Sequence, residues 1–332
     1  MGDRQPAIEA KAASLGDYRA PVWLPGGHAQ TIWPYFVRRP PVPMRRETVV
    51  TRDGDVWQFD WLETHGDGPL VVLFHGLEGG SDSHYVRSLF VALTARGWRG
   101  VVPHFRGCAG QPNRLPRAYH SGDHEEIAAM LDAVRSRVAP STVVHVCGVS
   151  LGGSALLNWL GRAGPGAASI VSRAAAVSAP IDLMAAGDAI DRGLNRIYAR
   201  HFLQTLKPKA LAMASRFPGL LDAERIRRVR SMGDFDDVVT SPLHGFTGTV
   251  DYWTRASSKP WLPSIAVPTL VLNALNDPFV PGASLPRPDE VAPDVVLEQP
   301  ADGGHSGFLT GPAPGRLDWL PRRLLTFFDA VY

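Results

Sequence analysis

The chain is predicted to be an α/β domain with a mostly parallel eight-stranded sheet, helices on both faces and a helical cap insertion. Three observations carry this expectation. Short β-branched runs alternate with helical apolar patterns along most of the sequence. The sequence Gly148-Val149-Ser150-Leu151-Gly152 lies directly between one such run and one such pattern. Finally, about ninety residues of mainly helical pattern separate two late strands, too many for a simple crossover.

Taken in order, residues 1 to about 45 form a proline-rich arm without periodicity. It carries Trp23, Trp33 and Tyr35, aromatics that need cover, so the arm is expected to pack across the domain. The domain proper spans 46–332. Residues 48–51 and 56–62 flank Asp53-Gly54, a hairpin signal that gives the sheet an antiparallel start. Residues 70–74 are the next strand, 83–96 a helix ending at Gly97, and 100–103 a strand. Residues 123–138 are a helix with Ile127, Met130, Leu131 and Val134 inward and Asp123 as its N-cap. The stretch 141–147 is short and β-branched, as a buried strand should be. From Leu151 a helix follows with Leu156, Leu157 and Leu160 on its apolar face and Asn158 and Arg162 on the other. Residues 174–178 and 269–274 are strands, and 181–263 between them read as a cap over the C-terminal edge of the sheet. A strand at 295–297 and a helix at 317–331 complete the order.

A chain of 332 residues can bury a large core in one domain. Its 34 basic and 32 acidic residues nearly cancel, which argues against a nucleic-acid partner. Two cysteines, Cys108 and Cys147, are too few for a disulfide framework and suit a reducing compartment. No run of 18 apolar residues occurs, and Met1-Gly2-Asp3-Arg4-Gln5-Pro6 lacks the apolar core of a signal peptide, so a cytoplasmic location is expected. Arg225, Arg227, Arg228 and Arg230 surround Ile226 and Val229. This is read first as a solvated cap helix and second as a weak peripheral contact for anionic headgroups.

Gly-x-Ser-x-Gly is expected by chance roughly 0.2 times in a chain this glycine-rich, so context decides its meaning. Between a strand and a helix it describes a nucleophile elbow that holds the Ser150 hydroxyl up at the sheet edge. A serine nucleophile needs a base and an acid that orients the base, and in this architecture they follow in the order acid, then histidine. Asp277 comes just after the 269–274 strand, and His305 sits in Gly303-Gly304-His305-Ser306-Gly307-Phe308 after the last strand. Asp289, Asp294 and Asp302 compete for the acid role; the first two lie in a proline-rich loop without a strand before them. Two amides are candidates for holding an oxyanion: Leu151, just after the nucleophile, and Leu77 in His75-Gly76-Leu77-Glu78-Gly79-Gly80 after the 70–74 strand. That glycine-rich loop lacks the Lys-Ser/Thr pair of a phosphate-binding P-loop. His120-Ser121-Gly122-Asp123-His124 lacks the histidine at 122 that a metal-binding run would carry, and no metal or other cofactor is expected.

With these residues in place, the chain resembles the YheT-like branch of the α/β-hydrolase superfamily. The segments 23–31 (WLPGGHAQT), 75–79 (HGLEG), 119–122 (YHSG), 236–240 (DDVVT), 244–246 (HGF), 251–253 (DYW) and 304–308 (GHSGF) carry the resemblance, which runs from about residue 21 to the last helix. Asp123-His124-Glu125 departs from the Thr-Glu-Asp type of helix start seen in relatives. The resemblance implies the α/β-hydrolase fold and a serine hydrolase acting on esters, with Ser150 as nucleophile, Asp277 as acid and His305 as base. It leaves substrate open, because members are mostly described as predicted esterases, with some eukaryotic relatives acting on phospholipids or making fatty acyl esters.

The resulting expectation is hydrolysis of a carboxylic ester through an acyl-serine intermediate, with a small-molecule acyl ester as partner. The alternatives are acyl transfer to an alcohol and, from another class, a catalytically idle binding scaffold. His28 and Gln30 are expected either at the active-site rim or in a structural role. Apolar cap residues such as Leu203, Leu206, Leu211 and Met213 suggest a covered pocket that prefers medium-chain acyl groups, or else simply pack the cap.

Overall fold

Alternation of side chains along strand β3 (Leu70–Phe74) organises the core of the molecule. Leu70, Val72 and Phe74 enter one apolar cluster, while Val71 and Leu73 enter another on the opposite face. A computed structural model describes residues 18–330 of the chain. The readings of the first residues, of the start of the arm and of Val331 lie outside the described residues.

The sheet has eight strands, and in chain order the others are β1 (Met44–Val50), β2 (Val56–Leu62), β4 (Arg99–His104), β5 (Val144–Val149), β6 (Arg173–Val177), β7 (Thr269–Leu272) and β8 (Val295–Glu298). The spatial order is β1-β2-β4-β3-β5-β6-β7-β8. β1–β2 and β2–β4 pair antiparallel, and all later pairs are parallel. In the described arm, residues Gly27–Ile32 form a short helix, α1. Helix α2 (His84–Ala95) and the last helix cover the Val71 face. Helices α3 (His124–Arg135) and α4 (Leu151–Ala163) cover the Leu70 face. β1 begins four residues earlier than the β-branched stretch suggests, because Met44 to Glu47 pair with Phe59 to Leu62 despite two arginines.

One reading of α4 is corrected. Asn158 does not face outward: it is fully buried, and its Nδ2 donates to the carbonyls of Ser154 and Ala256. The turn at Lys259–Ser264 packs over this helix so closely that Trp261 O lies where a Cβ on Gly161 would be. Arg162 does reach the surface, stacked on the Trp261 ring at 4.0 Å. Asp123 stands at the N-cap position of α3 without a side-chain cap bond; its carboxylate is taken by Arg117 at 2.7 Å instead.

Between β6 and β7 lie α5 (Leu183–Ile190), α6 (Arg196–Arg216), α7 (Ala223–Arg228), α8 (Thr249–Ala256) and several shorter turns. These helices have a core of their own. Ala199, Leu203, Leu206, Ala210 and Ala214 share one stripe of α6 and pack against Ile226, Val229, Met232, Phe235 and Val239. Leu211 and Met213 flank that core. Arg225 and Arg227 stay exposed on α7 and pair with Asp237 and Glu224. After β8 the chain ends on α9 (Trp319–Asp329). Among the described residues no helix is long and apolar enough to cross a membrane.

Several histidines are buried as neutral rings. Burial pushes His75 down to about 3 and both His84 and His145 down to about 4. Their folded values lie below those of the unfolded chain, so between the two the unfolded chain binds more protons. Their contribution is complete above the unfolded value of roughly 6.5 and is lost as pH falls through it toward 4 and then 3. The Asp60 carboxylate, held well below its usual range by Arg46, His104 and Ser81 hydrogen bonds against the cost of burial, adds a loss only below roughly pH 4. Denaturant melts are therefore expected to show a lower midpoint at pH 5 than at pH 7, the buried histidines outweighing Asp236 and Asp123, whose carboxyls burial raises to about 6 and about 7 and which favour the folded chain as they take up protons over the same range; equal midpoints would contradict buried neutral histidines.

Candidate active site

Ser150 occupies the sharp turn between β5 and α4 with φ 54° and ψ −124°, a conformation a non-glycine residue holds only when its surroundings enforce it. Gly152 is required by space: a Cβ there would sit 2.5 Å from the carbonyl oxygens of both Phe74 and His75. The elbow can therefore nest against the end of β3, and the hydroxyl stands partly exposed above the sheet.

Asp277 and His305 arrive at the same rim from the ends of β7 and β8. His305 Nε2 lies 2.9 Å from Ser150 Oγ, and His305 Nδ1 lies 2.8 Å from Asp277 Oδ2. Asp277 is buried, and its other oxygen, Oδ1, accepts the backbone N–H groups of Phe279 at 2.8 Å and Val280 at 3.3 Å. The carboxylate thus has one oxygen fixed by backbone and one turned to the imidazole. Asp302, a competing acid by sequence, does not reach His305; its Oδ1 accepts from Asn276 Nδ2 at 3.0 Å and Gln30 Nε2 at 3.4 Å. Asp289 pairs with the exposed Arg287.

The loop that presents His305 is held by groups far away in sequence. Thr31 Oγ1 accepts the His305 N–H, Gln30 Oε1 accepts the Gly303 N–H, and Asn276 Oδ1 accepts the Gly304 N–H. His84 Nε2 lies 2.9 Å from Ser306 O, and Ser178 Oγ accepts the Ser306 N–H. Gly307 lets α1 approach, since a Cβ there would meet Gln30 O at 2.1 Å. Gln30 therefore has the structural role of clamping this loop, whereas His28 faces the cap with Nδ1 3.1 Å from Tyr198 OH. Phe279 packs its ring 4.4 Å from that of His305. Thr31, Asn276, Ser178 and Phe279 were not singled out by sequence. Thr31 lies in the arm motif and Asn276 beside Asp277, and only those neighbours hinted at them.

Leu77 and Leu151 both border the pocket that contains Ser150 and His305. Neither amide donates a hydrogen bond to another described residue. His75 fixes the peptide that carries the Leu77 N–H. Its Nδ1 lies 2.7 Å from Gly76 O, its Nε2 accepts the Phe105 N–H at 3.2 Å, and burial keeps the ring neutral. Because the peptide is trans, fixing the Gly76 carbonyl also fixes the direction of the Leu77 N–H.

The pocket at Ser150 measures about 120 Å³, and a larger cavity of about 690 Å³ adjoins it. Leu77, Ser121, Leu151, Met232, Asp236 and Tyr252 line both. Leu206 and Met213 of α6 line the larger cavity. Asp236, whose carboxyl burial raises to about 6, is held by Thr240 Oγ1 and Trp253 Nε1. His120 accepts the Gly122 N–H on Nδ1. Among the described residues no group of three or more His, Cys, Asp or Glu is placed to hold a metal ion.

A parallel-dominated sheet with a serine, an acid and a histidine at its carboxyl rim defines an α/β hydrolase, and a family model described as "alpha/beta hydrolase fold" matches residues 69–312. Among curated proteins the chain is 37% identical to "Putative esterase YheT" of Escherichia coli (strain K12) over 91% of each chain. It is 30% identical to "Phospholipase ABHD3" of Homo sapiens over 95% of this chain and 79% of that one. It is 29% identical to "Monoacylglycerol lipase" of Saccharomyces cerevisiae over 80% and 60%. Among solved structures, an esterase from Exiguobacterium antarcticum superposes with a TM-score of 0.55 at 17% identity, covering 86% of this chain and all of that one. The chain belongs to the α/β-hydrolase superfamily, in its YheT-like branch.

Proposed function

We propose that this protein hydrolyses carboxylic esters through an acyl-serine intermediate. The observation that carries the reading is the unbroken relay from Asp277 Oδ2 through the His305 ring to Ser150 Oγ, with distances of 2.8 and 2.9 Å. His305 takes the Ser150 proton as Oγ attacks the ester carbonyl, and Asp277 holds the imidazole in the tautomer whose Nε2 is free to accept. The Leu77 and Leu151 N–H groups receive the oxyanion; they make no competing hydrogen bond among the described residues. His305 then gives its proton to the leaving alcohol and activates a water to release the acid. No step calls for a cofactor. Relatives named as an esterase, a phospholipase and a monoacylglycerol lipase support ester substrates.

Medium-chain acyl esters are the preferred substrates in this reading. The 690 Å³ cavity beside Ser150 is in the size range of small-molecule sites and takes Leu206, Met213, Phe235 and Val239 into its wall. Each methylene buried there contributes up to about 0.8 kcal/mol, close to a fourfold gain in kcat/KM per carbon. A series of p-nitrophenyl esters from acetyl to decanoyl tests this. Rising kcat/KM to at least the octanoyl ester is expected; a monotonic fall from acetyl upward would leave the cavity out of acyl binding. The same cavity gives an alcohol room to compete with water for the acyl-enzyme, a second outcome that product analysis with added alcohol would reveal.

A further inference from the structure

The N–H groups on either side of the Leu77 amide are both held by tyrosine hydroxyls. The Gly76 N–H donates to Tyr85 Oη at 3.0 Å, and the Glu78 N–H donates to Tyr119 Oη at 2.8 Å. These tyrosines come from opposite sides of the sheet. Tyr85 is in the first turn of α2, and Tyr119 lies just before α3 with its ring stacked on Phe105 at 5.1 Å. Between two occupied amides, the Leu77 N–H is the one left free to face the pocket.

Glu78 closes this arrangement. It has φ 55°, a left-handed conformation that a residue with a side chain adopts only under constraint. Tyr119 Oη returns a hydrogen bond to its Oε1 at 3.0 Å, so one hydroxyl grips both the backbone and the side chain of Glu78. The Glu78 carboxylate also meets Lys209 Nζ at 2.8 Å, and Lys209 belongs to α6 of the cap. Glu78, Tyr119 and Lys209 all line the large cavity.

We propose that Tyr85 and Tyr119 are positioning residues that preorganise the Leu77 amide for the oxyanion, and that Lys209, through Glu78, ties this hold to the cap. The proposal rests on the ester-hydrolase reading above. It assigns to the cavity wall a part in the chemical step besides binding: a ligand that presses on Lys209 or Tyr119 also acts on the loop that receives the oxyanion. Loosening the loop costs transition-state stabilisation, because the amide must stand where charge develops, and leaves ground-state binding nearly intact.

The test uses the full chain and the variants Tyr119→Phe, Tyr85→Phe, Lys209→Met and Lys209→Arg. Each is assayed with p-nitrophenyl octanoate and with an octyl trifluoromethyl ketone, which Ser150 attacks to give a tetrahedral adduct carrying an oxyanion. Expected are a fall in kcat of about tenfold for each tyrosine variant with KM within about threefold, and a Ki for the ketone weakened by the same factor as kcat. Lys209→Met is expected to lose about threefold in kcat, with Lys209→Arg restoring most of it. Thermal melts check that the variants fold, and the lysine pair keeps the test open if a tyrosine variant does not. Wild-type kcat in both tyrosine variants would overturn the proposal. So would a loss of turnover with unchanged ketone affinity, because the tyrosines would then act outside the oxyanion step. A wild-type chain that neither turns over ester nor binds the ketone would instead sink the ester-hydrolase reading, and the proposal with it.

Discussion

Asp277→Asn is expected to lower kcat by about 10⁴-fold, close to 5.4 kcal/mol of activation free energy, with the fold preserved. The local geometry makes this more than a change of charge. Asp277 Oδ1 is fixed by the N–H groups of Phe279 and Val280, so an asparagine keeps its carbonyl oxygen there and turns its amide nitrogen toward His305. That nitrogen donates. His305 Nδ1 must then accept, the ring proton moves to Nε2, and the atom facing Ser150 Oγ can no longer take its proton. Asp302→Asn provides the contrast. Among the described residues the Asp302 carboxylate accepts hydrogen bonds from Gln30 and Asn276, and an asparagine retains a carbonyl to accept from both, so kcat within about threefold of wild type is expected. Steady-state kinetics on the two variants decide the assignment; the reverse order of effects would move the acid to the His305 loop.

Ser150→Ala is expected to remove nearly all turnover, a loss of about 10⁶-fold in kcat, because the remaining groups have no nucleophile to activate. Its stability should stay near wild type, since the small side chain fits the elbow. Ser150→Gly should be equally inactive and yet more stable than Ser150→Ala by about 1 kcal/mol, because φ 54° is costly for any residue with a Cβ. Chemical denaturation of the pair measures this difference directly. Alanine as the more stable of the two would mean the elbow carries no strain.

Much of this candidate site was legible in sequence because Ser150, Asp277 and His305 each stand just past a strand of the sheet. The β-branched run before Ser150, the run before Asp277 and the last strand before His305 mark the same sheet edge, so their order alone brings them together. The groups that hold the site had no such signature. Gln30 and Thr31 clamp a loop more than 270 residues away through hydrogen bonds that no periodicity announces. The two tyrosine hydroxyls are equally silent in sequence, being aromatic residues in a chain with many. Asn158 was misplaced for a related reason. Helical spacing assigns one buried face to α4, but residues from Leu151 to Gly161 are all buried because the sheet covers one side and the 259–264 turn covers another. The cap's helical pattern pointed to an insertion without revealing that its stripe on α6 packs mainly within the cap, with Leu206 and Met213 left to line a cavity.

The central claim is that Ser150, activated by His305, is the nucleophile of an ester hydrolase. The most direct measurement is labelling of the full chain with a fluorophosphonate probe, followed by mapping of the modified peptide. A single adduct on Ser150 is expected, absent from Ser150→Ala and strongly slowed in His305→Ala. No labelling of the folded wild-type chain, or an adduct on another serine that persists in Ser150→Ala, would contradict it.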